Sequence, residues 1–191
     1  MSYKCEIIAD SLSPQGNRLT TYVVTYPRIV HAEMCRHRML SRNTASSRAI
    51  PLAKMIKDVQ ENPFIPIAWQ KDHKGMQGTE YFKHPEIIEQ LEEVWLDARN
   101  EAVDMAKFFS SFYGLGLENK EGFIISESID SGVTKQLCNR LLEPFVWTTE
   151  IITGTEWGNF FELRCPQYVV NWYSSQKNKT EIFRSRKEVI N

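Results

Sequence analysis

Neither sign of charge prevails in this 191-residue chain, in which 23 Lys and Arg stand against 24 Asp and Glu for a formal net charge of -1. That balance excludes an overall electrostatic pull toward nucleic acid or a membrane surface, so any anion site has to be a local cluster. Long apolar runs are missing as well. No stretch is long enough to span a bilayer, and the start Met1-Ser2-Tyr3-Lys4-Cys5-Glu6 turns polar before a signal peptide could form. A cytoplasmic protein, or one in the cytoplasm of a host cell if viral, is therefore expected. Cysteine is sparse and scattered: Cys5, Cys35, Cys138 and Cys165 form no CxxC pair and no Cys/His spacing suited to zinc. The expectation is no metal site and reduced, mostly buried thiols. No Ser-His-Asp or Cys-His constellation stands out, and no repeat, low-complexity tract or linker divides the chain.

What is present suffices for one core, since 42% of residues are hydrophobic and 12% aromatic. Leu19 to Tyr26 is β-branched and aromatic and stops at Pro27, which predicts a strand. A helix is expected next, with Ile29, Val30, Met34 and His37 at near-helical spacing. Pro51 opens a second helix, in which Leu52, Met55, Ile56 and Val59 mark the core face before Asn62-Pro63. Gln70 to Thr79 has no period and two glycines, and reads as an exposed loop. From Pro85 the residues Ile88, Leu91, Trp95, Ala98, Ala102, Met105, Phe109 and Phe112 recur at steps of three and four until Gly114, predicting one long amphipathic helix. Its seam suits a core or a subunit contact equally well. Beyond Gly132 a helix carries Leu137, Leu141 and Leu142 to Pro144, and a strand follows from Phe145 to Thr153. Thr155 can cap a last short helix toward Arg164. The architecture expected is a single α+β domain over residues 1–165, with a polar, basic tail at 166–191 of weak periodicity.

One segment carries chemistry. Arg36, His37, Arg38, Arg42 and Arg48 are interleaved with Ser41, Asn43, Thr44, Ser46 and Ser47, with no acidic residue among them. Guanidinium groups grip phosphate through a planar fork, and hydroxyl and backbone N–H groups complete the coordination without adding negative charge. A solvated basic face is the plain alternative, but such faces usually alternate with Glu or Asp. Successive helical residues turn by about 100°, so Arg36 and Arg38 would point to nearly opposite sides of one helix. Three explanations are open: an irregular backbone, a segment between two ligands, or a subunit boundary. His37, flanked by two arginines, is expected to stay neutral.

The run Arg36-His37-Arg38-Met39-Leu40-Ser41-Arg42-Asn43-Thr44-Ala45-Ser46-Ser47-Arg48 resembles the RHRxxSxNExSxR signature of the flavin-dependent thymidylate synthases, with seven of eight fixed positions matching. Gly132-Val133, then Arg140, Pro144, Asn159 and Leu163-Arg164, is similar to that family's downstream run. The resemblance implies an α+β fold that assembles as a homotetramer, with FAD and deoxyuridine monophosphate (dUMP) bound at subunit interfaces. It implies FAD contacts from Arg36, His37, Arg38, Thr44 and Asn159. It also implies nucleotide contacts from Glu33, Arg36, Thr44, Ala45, Ser46, Ser47, Arg48 and Arg140. Arg164 corresponds to the catalytic arginine that lies against the uracil ring and favours its N3-deprotonated form. The reaction implied is methylation of dUMP to thymidylate, with methylenetetrahydrofolate as carbon donor, NADPH as reductant of FAD, and no enzyme nucleophile.

The chain departs from that pattern at Thr44, where the signature carries glutamate. It has no His-x-Ser-x-x-Glu-His element ahead of Arg36, and after Arg164 it reads Cys-Pro-Gln-Tyr-Val-Val-Asn-Trp-Tyr in place of the family's helix. The rival function is a non-catalytic nucleotide- or nucleic-acid-binding module, with the basic stretch from Lys177 to Lys187 adding affinity. Aromatic stacking partners between Arg36 and Arg48 would favour nucleic acid, and none are there. A purely structural subunit built on the Ile88 to Phe112 helix leaves the acid-free cluster unexplained.

Overall fold

The β-branched run Arg18–Pro27 (β2) pairs antiparallel along its length with Trp147–Gly154 (β6), and these two strands form the middle of a four-stranded sheet. Lys4–Leu12 (β1) pairs outside β2 and Ser41–Thr44 (β3) outside β6, giving the order β1-β2-β6-β3, antiparallel throughout. The computed structural model describes residues 3–74, 80–111, 117–118, 124–125, 132–164, 170–174 and 179–183. Strand β6 alternates as a half-buried strand should: Thr148, Glu150, Ile152 and Gly154 are buried while Thr149 and Ile151 are exposed. Register places Tyr22, Val24 and Tyr26 of β2, and Arg42 and Thr44 of β3, on the buried side of β6. On the other side, hydroxyl pairs join β2 to β6, Thr21 to Thr153 at 2.9 Å and Thr25 to Thr149 at 3.0 Å.

Three helices build the main apolar core. Leu52–Glu61 (α2) contributes Met55 and Val59, Pro85–Ser110 (α3) contributes Val103 and Ala106, and Lys135–Leu142 (α4) contributes Cys138 and Leu142, with Phe145 closing the cluster. Arg99 of α3 donates to the carbonyls of Val59 and Gln60, which at the end of α2 have no intrahelical partner. Trp95 donates its indole N–H to Phe64 O at 2.8 Å and stands edge-on to Phe64 and Phe145. Backbone bonds from Arg28 to Val146 and from Phe64 to Phe145 stitch the sheet to this layer.

The expected α+β architecture with one long helix is what the structure has. Several local expectations differ. Lys4–Leu12 was not anticipated as a strand; every residue of it is exposed, so it shows no alternation and its conformation comes from pairing with β2. After Pro27 only a 3-10 turn at Arg28–Val30 and a one-turn helix, His31–Met34 (α1), form. Ile29 and Val30 are exposed, so the spacing that suggested a longer helix has no core to face. On α3 the seam drifts: Ala106 stands about five full turns after Ile88, whereas steps averaging three and a half residues slide off a straight helix. The buried residues are accordingly Ile88, Val103 and Ala106, while Met105 and Phe109 are exposed and Phe112 lies outside the described residues. Leu137 of α4 is exposed, and Asn139 takes the inward place beside Cys138. Cys5 and Cys35 are exposed, contrary to the expected burial, Cys5 because it lies on β1; Cys138 is buried and Cys165 lies outside the described residues. The exposed loop expected over residues 70–79 is bracketed by a Gln70–Tyr81 bridge, and its residues 75–79 lie outside the described set. Within 166–191, Val170–Ser174 (β7) pairs antiparallel with Lys179–Phe183 (β8), where weak periodicity had given no grounds for structure. Two short strands, Leu117–Glu118 (β4) and Ile124–Ile125 (β5), pair with each other.

Leu142 is fully buried at the meeting of α2, α3 and α4. Truncation to alanine removes its transfer free energy and leaves a cavity, so Leu142→Ala is expected to cost about 2–5 kcal/mol in equilibrium denaturation. A loss under about 0.5 kcal/mol would contradict this core.

Candidate functional site

The arginine-rich segment leaves α1 as a series of turns and enters β3, so its backbone is irregular where Arg36 and Arg38 sit. Arg42 holds those turns. Its guanidinium donates to the carbonyls of Met34, of His37 at 3.1 Å and of Cys35 at 3.0 Å. Arg42 is thereby spent on the backbone, and the donor array expected from sequence loses one member to structure. Buried Leu40 pins the same loop from below, because Gly154 of β6 leaves room for it: a Cβ there would stand 2.6 Å from Leu40 Cδ2.

The helix Trp157–Arg164 (α5) closes on this loop. Arg164 donates Nε–H to His37 Nε2 at 2.6 Å, and Phe160 stands edge-on to the His37 ring with centroids 4.8 Å apart. An imidazole that accepts at Nε2 carries its proton on Nδ1 and is neutral. Burial, then the charges of Arg164 and Arg42, push the His37 pKa below its ordinary value of 6.5. Neutrality was expected, but from Arg36 and Arg38; the arginines responsible are Arg164 and Arg42.

Beneath the loop lies a carboxylate that sequence reasoning missed. Glu150, 1% exposed on the buried face of β6, accepts from Tyr26 at 2.5 Å and from Thr44 at 2.6 Å. Thr44 and Glu150 are directly paired across the strands. The position that lacks the signature's glutamate therefore reaches a carboxylate on the next strand. Period-two alternation in β6 was the available signal, since it puts Glu150 in step with Ile152.

Asn139 is the second missed residue. Wholly buried, it donates through Nδ2 to Ser47 O at 2.7 Å and Ile50 O at 2.9 Å, fixing the segment that carries Ser46 and Arg48. A polar side chain in step with Cys138 and Leu142 on the inward stripe of α4 was its sequence signal. The Ser46 hydroxyl accepts from the Arg48 backbone N–H at 3.3 Å.

The structure thus brings Arg36, His37, Arg38 and Arg164 to one loop–helix junction, and places Thr44, Ala45, Ser46, Ser47 and Arg48 along the strand end that continues from it. Arg140 follows the Asn139 clamp on α4, and Asn159 lies on the exposed side of α5. Glu33, Arg36, Arg38, Ser46, Arg48, Arg140 and Asn159 are all exposed, and Ser47 is buried. Among the described residues Arg36, Arg38, Arg48 and Arg140 make no side-chain hydrogen bond or ion pair, while Arg164 uses only Nε, leaving its terminal nitrogens. This arrangement can bind polyanions at an open surface. A cavity of about 370 Å³ lies nearby, with Ala45 and Ser47 on its wall, but Arg36, Arg38, Arg48 and Arg164 do not line it. Its own cations are matched, Lys54 by Asp58 at 2.7 Å and Arg28 by Glu143 at 3.9 Å, so the cavity is not where anions would collect. No group of residues suited to a metal ion occurs among the described residues, and none of their helices is long and apolar enough to cross a membrane.

The chain matches no protein-family model and no curated protein. It is similar to solved structures of the UMP/dUMP methylase PolB from Streptomyces cacaoi. With the form bound to 5-Br UMP the TM-score is 0.54 at 15% identity, covering 81% of this chain and 71% of that one. With the form bound to 5-Br dUMP it is 0.55 at 12% identity, covering 90% and 84%. The likeness carries the fold alone, a mixed α+β arrangement with a four-stranded antiparallel sheet and one long helix.

His37 should titrate below 6.5 when followed by NMR, and Arg164→Gln should raise its value toward 6.5. Between the lowered folded value and 6.5 the unfolded chain binds more protons than the folded one. Stability therefore falls as pH drops through that window, and Arg164→Gln should flatten the fall. An unchanged His37 titration in the variant would show that the Arg164 contact does not govern it.

Proposed function

We propose that the protein is a flavin-dependent enzyme that methylates a uracil nucleotide, dUMP to thymidylate, using methylenetetrahydrofolate as carbon donor and NADPH as reductant. The observation that carries this reading is the loop–helix junction: exposed arginines without acidic partners, joined through His37 to Arg164, on a fold similar to that of a UMP/dUMP methylase.

The donor set suits FAD, because Arg36 and Arg38 present free guanidinium forks of the kind that hold a diphosphate, and Asn159 adds an exposed amide. FAD supplies hydride chemistry when bound. The rest belongs to the chain. Arg36 and Arg38, on an irregular turn, would reach two directions, toward cofactor and toward nucleotide. Ser46, Arg48 and the Thr44 to Ser47 backbone would hold the nucleotide phosphate, with Asn139 keeping that backbone in place and Arg140 approaching from α4. Glu33, at the foot of the loop, would meet the nucleotide. Arg164, steadied by His37, would turn its terminal nitrogens to the uracil edge and stabilise negative charge on the ring. Divergent arginines and the exposed apolar residues Val94, Met105 and Phe109 of α3 favour a homotetramer with ligands shared between subunits.

The first test is FAD itself: a yellow protein that releases FAD on denaturation supports the reading, and a colourless one that binds nucleotide without FAD returns it to a plain binding module. Arg48→Ala should weaken dUMP binding roughly tenfold or more with little effect on FAD, and Arg38→Ala the reverse, as titration of both ligands would read. Equal losses of both ligands in both folded variants would overturn the two-pocket assignment. Arg164→Lys keeps the charge and loses the planar fork, so thymidylate formation should fall on the order of a hundredfold while dUMP affinity changes little. Full turnover in that variant would remove Arg164 from the chemistry.

A further inference from the structure

The nucleotide reading makes no use of a second constellation that the fold assembles on α1. The Tyr26 hydroxyl has one hydrogen, and it goes to Glu150 Oε2 at 2.5 Å. Its contact with His31 Nδ1 at 2.8 Å therefore has the imidazole as donor, which puts the ring proton on Nδ1. In the neutral ring the lone pair of Nε2 is then left for Cys35, whose Sγ lies 3.5 Å away. One helical turn sets this meeting, with the Cys35 backbone N–H donating to His31 O at 3.0 Å. The charged groups facing His31 are Arg28 and Arg42 on one side of the balance and Glu150 and Glu143 on the other. Burial, then Arg28, pushes the His31 pKa below 6.5, so the ring is a free base at neutral pH. Burial, then the bond to Glu150, raises the Tyr26 pKa and keeps the phenol protonated. Cys35 is exposed, next to exposed Arg36, and its own carbonyl accepts from Arg42.

We propose that Cys35 and His31 are a nucleophile and its general base, and that the partner they take is an anionic conjugated carbonyl compound. The Cys35 thiol gives its proton to His31 Nε2 as the S–C bond forms at the electron-poor β-carbon. The π pair of the C=C bond moves toward the carbonyl oxygen, and the enolate collapses by taking the proton back at the α-carbon. Nothing leaves and no oxidant or reductant is consumed. The imidazolium formed in passing is stabilised through Nδ1–H by Tyr26, behind which stands Glu150, so Tyr26 and Glu150 are positioning residues. The two positive charges of Arg36 and Arg42, against the one negative charge of exposed Glu33, favour an acceptor that carries a carboxylate or phosphate.

The test labels the full chain with N-ethylmaleimide and with its carboxylate-bearing analogue 3-maleimidopropionate, and reads Cys35, Cys5 and Cys138 separately by peptide mass spectrometry. The neutral N-acetylcysteine amide in the same solution is the reference thiol, so that the charge of the reference does not bias the comparison of the two maleimides. At pH 6.5 Cys35 should react at least tenfold faster than N-acetylcysteine amide with N-ethylmaleimide, and the carboxylate analogue should widen that ratio. His31→Gln should slow Cys35 at least fivefold with Cys5 unchanged. Tyr26→Phe should slow it less and move the pH midpoint of the Cys35 rate. Buried Cys138 reports folding in each variant, since it labels only when the chain opens. If His31→Gln opens the chain, the unmodified protein decides by its rate ratio. A Cys35 rate equal to that of N-acetylcysteine amide, or one that His31→Gln leaves unchanged in a folded protein, overturns the pair. A ratio that the carboxylate analogue does not widen overturns the anionic preference.

Discussion

Burying Glu150 in the middle of the sheet is the constraint from which the rest of the site follows. Taking a carboxylate out of water costs several kcal/mol unless donors replace the lost solvation, and among the described residues no cation is bonded to it. Two hydroxyls meet that cost, Tyr26 from β2 and Thr44 from β3, so one side chain on β6 ties together both strands that flank it. Because Tyr26 gives its only hydrogen to Glu150, it must accept from His31, and the orientation propagates outward to the turn from which the arginine-rich loop departs. Replacing the carboxylate would remove the side-chain tie between the strands and free the Tyr26 hydrogen that sets the His31 tautomer.

Arginine is divided between two uses in this molecule, and the division defines the surface. Arg42 and Arg99 turn toward main-chain carbonyls, Arg42 gathering the turns after α1 and Arg99 closing the end of α2, where the carbonyls have no intrahelical partner. Their planar forks suit that task as well as they suit phosphate. Arg36, Arg38, Arg48 and Arg140 stay in solvent with no acidic partner among the described residues, which leaves their charge for a ligand. Arg164 stands between these uses: one nitrogen fixes a neutral His37, and the other two have no partner among the described residues. A fold similar to that of solved UMP/dUMP methylase structures and a cluster of uncompensated cations at an open junction are separate observations.

The long helix, the β2 and β6 strands and the arginine-rich segment were legible in the residues, because periodicity, β-branching and the absence of acidic side chains are properties of neighbours along the chain. The fold class followed from those elements. Less was legible wherever a partner far in sequence made the decision. Strand β1 has no buried face, so only pairing with β2 makes it a strand. Asn139, Glu150 and Tyr26 look like ordinary helix and strand residues in the sequence, whereas the four-residue spacing of His31 and Cys35, which any helix puts on one face, is a local signal.

Thr44 marks the boundary between the two kinds of information. Its identity, a hydroxyl where the resembled signature has a carboxylate, is plain in the sequence and reads there as a loss. Register decides what it means: Thr44 pairs across from Glu150, 106 positions further along, at a hydroxyl–carboxylate distance of 2.6 Å. The sequence by itself determined which side chains could form a phosphate-binding cluster and which segments would be helix or central strand, since both depend on local composition and period. Only the tertiary structure decided which arginine is spent on the backbone, which arginines lie against His37 and where the carboxylate lies. Those outcomes depend on burial and on hydrogen bonds between segments that meet only when the chain is folded.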